Sequence, residues 1–454
     1  MKPIHLVVCA DKKGGIGKDG SIPWDIYVDK VFFNNLTTKG KNAVVMGRRT
    51  YESLKAPLPE RLNVVITKSK LDVLTYSNLQ QALDALEEMD VEQIFIIGGS
   101  QLYKEAIKYC TYFYYNEIQK EYDCDVFVEK PFFVCLYNHR FNLRDKNEEV
   151  LVHFKKYVHP QKYSLEFLRQ DTQENQYIDL LDELMKLKLR ETRNGRTYSS
   201  FNKQLVFDAE PFPILTSKKV NFQHVVEELL WFLKGETDSK ILEEKGVNIW
   251  KKNSSKEFLE KNNLSYQEGD IGPMYGFQLV HFGEEYKGSS ASYSGYNQID
   301  YVVNLIKSDP TSRRIIMTTF NPEQAKEGVL YPCHGIVTQF YVEDDILHLS
   351  TYQRSADVFL GLPWNISSYA LLLHIIAHLT QKKVGKVIIT LGDYHLYEEH
   401  YEKAAIQILR SRLGLYDFPK LNLKPFSTIS EINSSYFELE NYQSYKVLVA
   451  EMKS

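Results

Sequence analysis

Residues 331–335 read Tyr-Pro-Cys-His-Gly, and residues 352–365 read Tyr-Gln-Arg-Ser-Ala-Asp-Val-Phe-Leu-Gly-Leu-Pro-Trp-Asn. The two segments supply one thiol, Cys333, together with His334, Arg354 and a run of polar groups. That is the equipment for covalent attack on an anionic substrate. An isolated Cys is most often a small buried hydrophobe. Here a cation of the kind that lowers a thiol pKa, Arg354, stands in a Tyr-Gln-Arg-Ser motif. Arg313 and Arg314 add two adjacent cations suited to a phosphate, although an Arg pair in a loop also reads as a solvated face. A cysteine hydrolase using Cys333 and His334 is a poor reading. Adjacent residues on an extended segment point to opposite faces, which misplaces His334 as a direct base.

Other constellations carry weaker signals. Glu227 and Glu228 open an apolar helical stretch ending Leu-Leu-Trp-Phe-Leu. An inward carboxylate there would organise water for proton transfer, and helix-dipole compensation explains the pair equally well. His395 and Tyr397 are two apart on an extended segment, which puts both on one side, able to bind a sugar hydroxyl. Near the N-terminus, Asp25 suits a helix N-cap, and Asp29 shares a helix face with Phe32 and Phe33. A carboxylate among aromatics is desolvated, and its raised pKa suits binding or protonating a heterocycle. Two strand-to-helix junctions carry Gly: Gly47-Arg48-Arg49-Thr50 and Gly98-Gly99-Ser100. Each presents free backbone N–H groups to a phosphate, and two in one domain favour a dinucleotide. Neither matches the Rossmann glycine fingerprint.

These residues need elements to hold them. The 454 residues suggest two or three domains. Residues 4–10, 43–46, 63–67 and 93–97 read as strands, with a helical pattern over 78–89 between the last two. Alternation of this kind suggests a mostly parallel α/β sheet. Residues 112–117, 151–157 and 163–168 read as further strands, suited to a closing antiparallel hairpin. The polar stretch 170–175 is the expected linker between domains 1–169 and 176–454. Beyond it, helices are expected over 177–189, 224–233 and 367–379, and strands over 314–320, 335–342 and 347–352. The Gly, Ser and Tyr-rich residues 283–297 read as a long loop.

Composition narrows the classes. Apolar residues make up 43% and charged residues 25%, so global disorder is excluded. The net charge of −4 carries no basic tail for nucleic acid and no membrane-targeting run. Residues 170–454 hold 31 Lys/Arg against 37 Asp/Glu, so an anion site there must rest on local Arg placement. Five Cys without a CxxC spacing argue against a disulfide framework or a thiolate zinc site, and no metal is expected. No apolar run approaches a membrane span, and a cytoplasmic setting is expected.

The ordered motifs decide between readings. Gly15-Ile16-Gly17, Pro23-Trp24, Asp29, residues 46–53, residues 57–61 and Ile97-Gly98-Gly99 occur in the order and spacing of dihydrofolate reductase. The resemblance covers about residues 1–169. It implies NADPH held by Gly17, Gly47, Arg48, Arg49, Thr50, Gly98, Gly99 and Tyr103. It further implies dihydrofolate between Asp29, Phe33 and Arg61, with Asp29 holding the pterin and Arg61 pairing with the α-carboxylate. Asn116 stands where that family usually has Thr.

Residues 212–218, 228–233, 272–276, 312–314, 332–334 and 353–365 resemble thymidylate synthase, over about residues 176–450. That resemblance implies an α+β domain that dimerises. Cys333 would add to dUMP, which then captures the one-carbon unit of 5,10-methylenetetrahydrofolate. Glu228, Tyr275 and His334 would serve the water and proton network. Arg196, Arg313, Arg314, Arg354 and Ser355 would hold the phosphate, the Arg313–Arg314 pair coming from the other subunit. Asn365 would read the uracil edge and His395 and Tyr397 the ribose, with Asp357 and Trp250 also in the substrate site. No nucleic acid is required. This chain departs from the family in the short segment Tyr198-Ser199-Ser200 after Arg196-Thr197, in Trp364 for Phe, in Glu399 for Asn and in the polar terminus 450–454. The fused order resembles the bifunctional enzymes that join the two activities. The other class of reading is a reductase carrying a non-catalytic nucleotide-binding or dimerisation domain. The retained Cys333, Glu228, Arg354 and Asn365 weigh against it, since a binder needs no thiol.

Overall fold

The structure is a computed structural model and describes residues 2–130, 132–162 and 172–452. The chain divides into two compact units, Met1–Gln170 and Asp171–Ser454.

The first unit is built on an eight-stranded sheet. Its order is Leu74–Tyr76, Leu62–Ile66, Asn42–Gly47, Gln93–Ile96, Ile4–Ala10, Tyr112–Ile118, Glu148–Val158, Val134–Asp145. The first six strands run parallel, and the last two form the antiparallel hairpin that closes the edge. Ile4–Ala10 is buried along nearly its whole length, as a central parallel strand covered on both faces must be. The helix Leu79–Glu87 starts where Asn78 accepts the Gln81 N–H. The strand Leu74–Tyr76 was not apparent from the sequence, because its three residues are only half-buried and show no alternation. The strand expected over 163–168 lies outside the described residues.

One expected cap is corrected. The helix Tyr27–Thr38 is preceded by Ile26, not Asp25. Asp25 instead pairs with Lys30 at 2.6 Å, because an exposed carboxylate there finds a nearby ammonium.

The second unit holds a six-stranded sheet in the order Leu189–Thr192, Gly195–Asp208, Lys383–Tyr397, Ile346–Asp357, Val337–Glu343, Ile316–Met317. All pairs are antiparallel except Ile346–Asp357 with Lys383–Tyr397. The helices Phe222–Leu233 and Gly361–Thr380 are buried almost all round, which fits their predominantly apolar sequences. Residues 283–297 form the expected loop, tied down where Asp270 accepts the Tyr286 hydroxyl at 2.5 Å and the Ser289 N–H at 2.9 Å.

Several boundaries move, among them the helix expected over 367–379, which is Gly361–Thr380, and the strand expected over 347–352, which is Ile346–Asp357. The helix expected over 177–189 is Asn175–Leu184, and Leu189 already starts a strand. The strand expected over 314–320 is reduced to Ile316–Met317. The described part of the expected linker 170–175 is not a free connection. Glu174 is fully buried and accepts the N–H groups of Thr216 and Ser217 and the Thr216 hydroxyl. A carboxylate with three donors tolerates burial, so a polar composition does not by itself make a stretch solvated.

Candidate active sites

In the first unit, Asp29 lies in the first turn of its helix, half-buried. Phe33, four residues on, shares its exposure, whereas Phe32 turns into the core against Tyr114 and Phe154. The expected aromatic face is therefore split: Phe33 accompanies Asp29, and Phe32 packs the sheet. Asn116, on the central strand Tyr112–Ile118, donates its side-chain N–H to Asp29 Oδ1 at 2.7 Å. Burial pushes the Asp29 carboxyl up, opposed by the Asn116 amide and the Cys9 thiol. The Cys9 contact escaped sequence reasoning, because strand neighbours are set by register and not by spacing. Arg61 donates from Nη1 to Thr37 Oγ1 at 2.7 Å and stands 6.0 Å from the Phe33 ring. Asp29 and Phe33 thus lie on one helix, and Arg61 reaches its last turn from outside.

The two glycine junctions meet. Gly47 N–H donates to the Gly98 carbonyl at 2.7 Å. A Cβ on Gly98, whose φ is +130°, would come within 3.2 Å of Thr50 Oγ1, so the two turns and Thr50 form a backbone-lined cradle. Arg48 and Arg49 are exposed beside it, with Arg48 bridged to Glu52 at 2.6 Å. The Tyr103 hydroxyl donates to the Val7 carbonyl at 2.6 Å and lies near Gly98. Gly17 sits on the short strand Gly15–Gly17, paired with Val126–Phe127. Open glycine backbone, a hydroxyl and two cations are the donors a dinucleotide phosphate needs.

In the second unit, Cys333 is placed by the hydroxyl of Tyr275, which lies 3.3 Å from Sγ and accepts the Cys333 N–H at 3.2 Å. Tyr275 has φ +33°, and a Cβ on the following Gly276 would meet the Phe232 and Glu236 carbonyls at 2.9 Å. The helix Phe222–Leu233 therefore packs directly against the backbone that aims Tyr275. His334 stacks on the Tyr275 ring at 4.4 Å and meets the Tyr369 hydroxyl at 3.0 Å through Nδ1. Burial pulls its imidazole down to about 4, so it is neutral near pH 7. Tyr369 went unread in the sequence, although it lies four residues from Asn365 on the same helix, a spacing that puts both on one face.

Arg354 donates from Nε to the Pro332 carbonyl at 3.0 Å and from Nη2 to the Tyr331 carbonyl at 3.3 Å. Its expected lowering of the thiol is overruled. Burial pushes the Cys333 thiol up, and Tyr275 and Arg354 only oppose that rise. Ser355 N–H donates to the Cys333 carbonyl at 3.3 Å, and Asp357 caps the chain entering the long helix through the Phe359 and Leu360 N–H groups. Asn365 is buried in that helix's first turns.

Glu228 is buried between two indoles. Trp250 Nε1 donates to one carboxylate oxygen at 2.8 Å and Trp364 Nε1 to the other at 2.6 Å. Burial pushes this carboxyl up to about 7, against those two donors. Glu227, its neighbour, turns out to Lys245 at 2.8 Å.

Sheet register brings His395 opposite Asp357 and Tyr397 opposite Thr197, next to Arg196. Arg196 is bridged to Glu398 at 2.6 Å. His395 Nδ1 meets Asp393 Oδ1 at 2.7 Å, with the Tyr397 ring 5.2 Å away. Arg313 and Arg314 are exposed in the turn before Ile316–Met317. The terminal segment is held where His400 Nε2 donates to the Glu451 carbonyl at 2.9 Å. Among the described residues there is no group of side chains able to hold a metal, and no helix is long and apolar enough to cross a membrane.

A parallel-sheet unit with a phosphate cradle and a half-buried carboxylate, and a second unit with a thiol, a buried Glu and arginines, define a two-centre enzyme of reductase and group-transfer type. Two family models match, dihydrofolate reductase over residues 3–159 and thymidylate synthase over 175–454. The bifunctional dihydrofolate reductase-thymidylate synthase of Paramecium tetraurelia is 36% identical over 99% of both chains. Bifunctional dihydrofolate reductase-thymidylate synthase 2 of Arabidopsis thaliana is 36% identical over 99% of this chain and 88% of its own length. The Leishmania major enzyme of the same name is 35% identical over 90% and 88%. The chain belongs to the bifunctional dihydrofolate reductase–thymidylate synthase family. It is a methyltransferase that converts dUMP to dTMP with 5,10-methylenetetrahydrofolate, and an oxidoreductase that returns the dihydrofolate product to tetrahydrofolate with NADPH.

Proposed function

We propose that Cys333 is the nucleophile of the synthase centre, and the observation that carries this is the Tyr275 hydroxyl 3.3 Å from its sulfur. The thiol rests protonated, because burial raises its pKa, and it must lose that proton as it adds to the uracil ring of dUMP. The addition makes a neighbouring ring carbon nucleophilic, and that carbon bonds to the methylene of the folate. Loss of the ring proton, hydride transfer from the folate and expulsion of Cys333 then give dTMP and dihydrofolate. Glu228 handles the proton through water, since a carboxyl near 7 both accepts and returns one at neutral pH. Tyr275 and the neutral His334 extend that network.

Arg354, with Arg196 and Ser355, is assigned to the phosphate. Asn365 is assigned to the uracil edge, His395 and Tyr397 to the ribose, and Asp357 and Trp250 to shaping the pocket. Arg313 and Arg314 act on the phosphate of a second subunit. Supporting this, Ile316, Val337, Tyr341 and Tyr352 expose apolar surface on one face of the sheet, with Val337 paired to Tyr352 in register. Such a face fits a homodimer.

In the reductase centre, Asp29 holds the pterin ring and directs protonation through water, Phe33 packs the folate, and Arg61 pairs with its α-carboxylate. Gly17, Gly47, Arg48, Arg49, Thr50, Gly98, Gly99 and Tyr103 hold NADPH, which supplies the hydride when bound. Release of tritium from [5-³H]dUMP tests the synthase assignment: Cys333→Ser abolishes it while dihydrofolate reduction continues.

A further inference from the structure

We propose that Trp364 is a positioning residue for Glu228, acting through its indole N–H. The inference rests on the role given above to Glu228 and extends it. An indole nitrogen only donates, and a carboxylate only accepts, so the direction of this bond is fixed. Trp364 Nε1 lies 2.6 Å from one Glu228 oxygen, and Trp250 Nε1 lies 2.8 Å from the other. Each oxygen therefore has one acceptor direction filled, and the carboxylate is clamped at both ends. The two clamps come from different parts of the fold. Trp250 is tied to a buried pair of serines bonded to each other, Ser239 and Ser254, because the Ser254 hydroxyl donates to the Trp250 carbonyl. Trp364 stands in the first turn of the long helix Gly361–Thr380, next to the buried Asn365.

A Phe at position 364 would preserve the aromatic packing and remove the donor. Half of the clamp would then go, and the carboxyl oxygen it leaves would be buried with one partner fewer. A donor stabilises the charged form, so its loss favours the protonated carboxyl. Trp364 thereby sets both where the Glu228 proton sits and the pH range over which Glu228 is ionised. The same helix turn presents Asn365, so one element fixes the groups assigned to the uracil edge and to the proton.

The test uses the full chain. In Trp364→Phe, the acid limb of kcat/KM for dTMP formation moves up by about one pH unit, the loss expected of one charge-assisted hydrogen bond. dUMP affinity stays unchanged and kcat falls at pH 7. Reductase activity of the same chain is unaffected. An acid limb that does not move, or a change confined to the KM for dUMP, overturns the proposal and leaves Trp364 as pocket packing. A second measurement needs no change at position 364. The chain has four Trp, so ¹⁵N-labelled indole signals are few. The Trp364 and Trp250 signals titrate with one shared midpoint, and Glu228→Gln abolishes both transitions. A Trp364 signal that stays flat with pH overturns the proposal. If the signals titrate but Glu228→Gln keeps full synthase activity, the clamp stands and the catalytic role of Glu228 falls.

Discussion

Arg196 and Glu398 form a 2.6 Å ion pair that joins the start of the strand Gly195–Asp208 to the turn after Lys383–Tyr397. A guanidinium assigned to a substrate phosphate is thus already engaged by a carboxylate. Binding dUMP must exchange one anion for another. Glu398→Gln removes the competitor, and the KM for dUMP is expected to fall a few-fold with kcat unchanged, the scale of a partly exposed pair. Steady-state kinetics at low and moderate salt check this, with the difference shrinking as salt screens the pair. A raised KM would mean that Glu398 positions Arg196 for the phosphate instead.

Asp29 takes a hydrogen bond from Asn116, 87 residues away in sequence. Asp29→Asn is expected to slow dihydrofolate reduction at pH 7 by roughly 100-fold or more while sparing NADPH binding, the scale of lost acid–base assistance. Unchanged turnover would remove Asp29 from its role.

Asn116→Val tests the same pair by pH. The amide stabilises the ionised carboxylate, so its removal raises the Asp29 pKa further above the ordinary carboxylate value. The inflection of the reductase pH profile assigned to Asp29 is expected to move upward, by about one unit. A downward shift would show that Asn116 favours the protonated form.

The exposed Arg313 and Arg314 are assigned to the neighbouring subunit's site. Cys333→Ser and the double variant Arg313→Ala with Arg314→Ala should each be inactive alone as synthase. Refolded together in equal amounts, they should recover roughly a quarter of wild-type activity, because half the dimers are mixed and each mixed dimer has one intact site. No recovery would place the pair in its own subunit's site.

Much of this was legible in the sequence. The strand Ile4–Ala10 announced itself by an apolar run interrupted by His5 alone, and Cys333 by the motifs around it. What spacing could not give was pairing across distance. Trp364 reads only as a replacement for Phe until its indole is seen on Glu228, 136 residues away. Glu174 reads as part of a linker until three donors are found on it. The direction of the Cys333 shift was also hidden, since a nearby Arg is visible in sequence and the depth of burial is not.

In the proposed synthase reaction the Cys333 sulfur bonds covalently to the pyrimidine. Mass spectrometry of the full chain, incubated with 5-fluoro-dUMP and 5,10-methylenetetrahydrofolate and then digested, tests it most directly. The fluorine blocks loss of the ring substituent, so the adduct should accumulate on the peptide containing Cys333 and be absent in Cys333→Ser. An adduct on another Cys, or tritium release that persists in Cys333→Ser, would rule out Cys333 as the nucleophile.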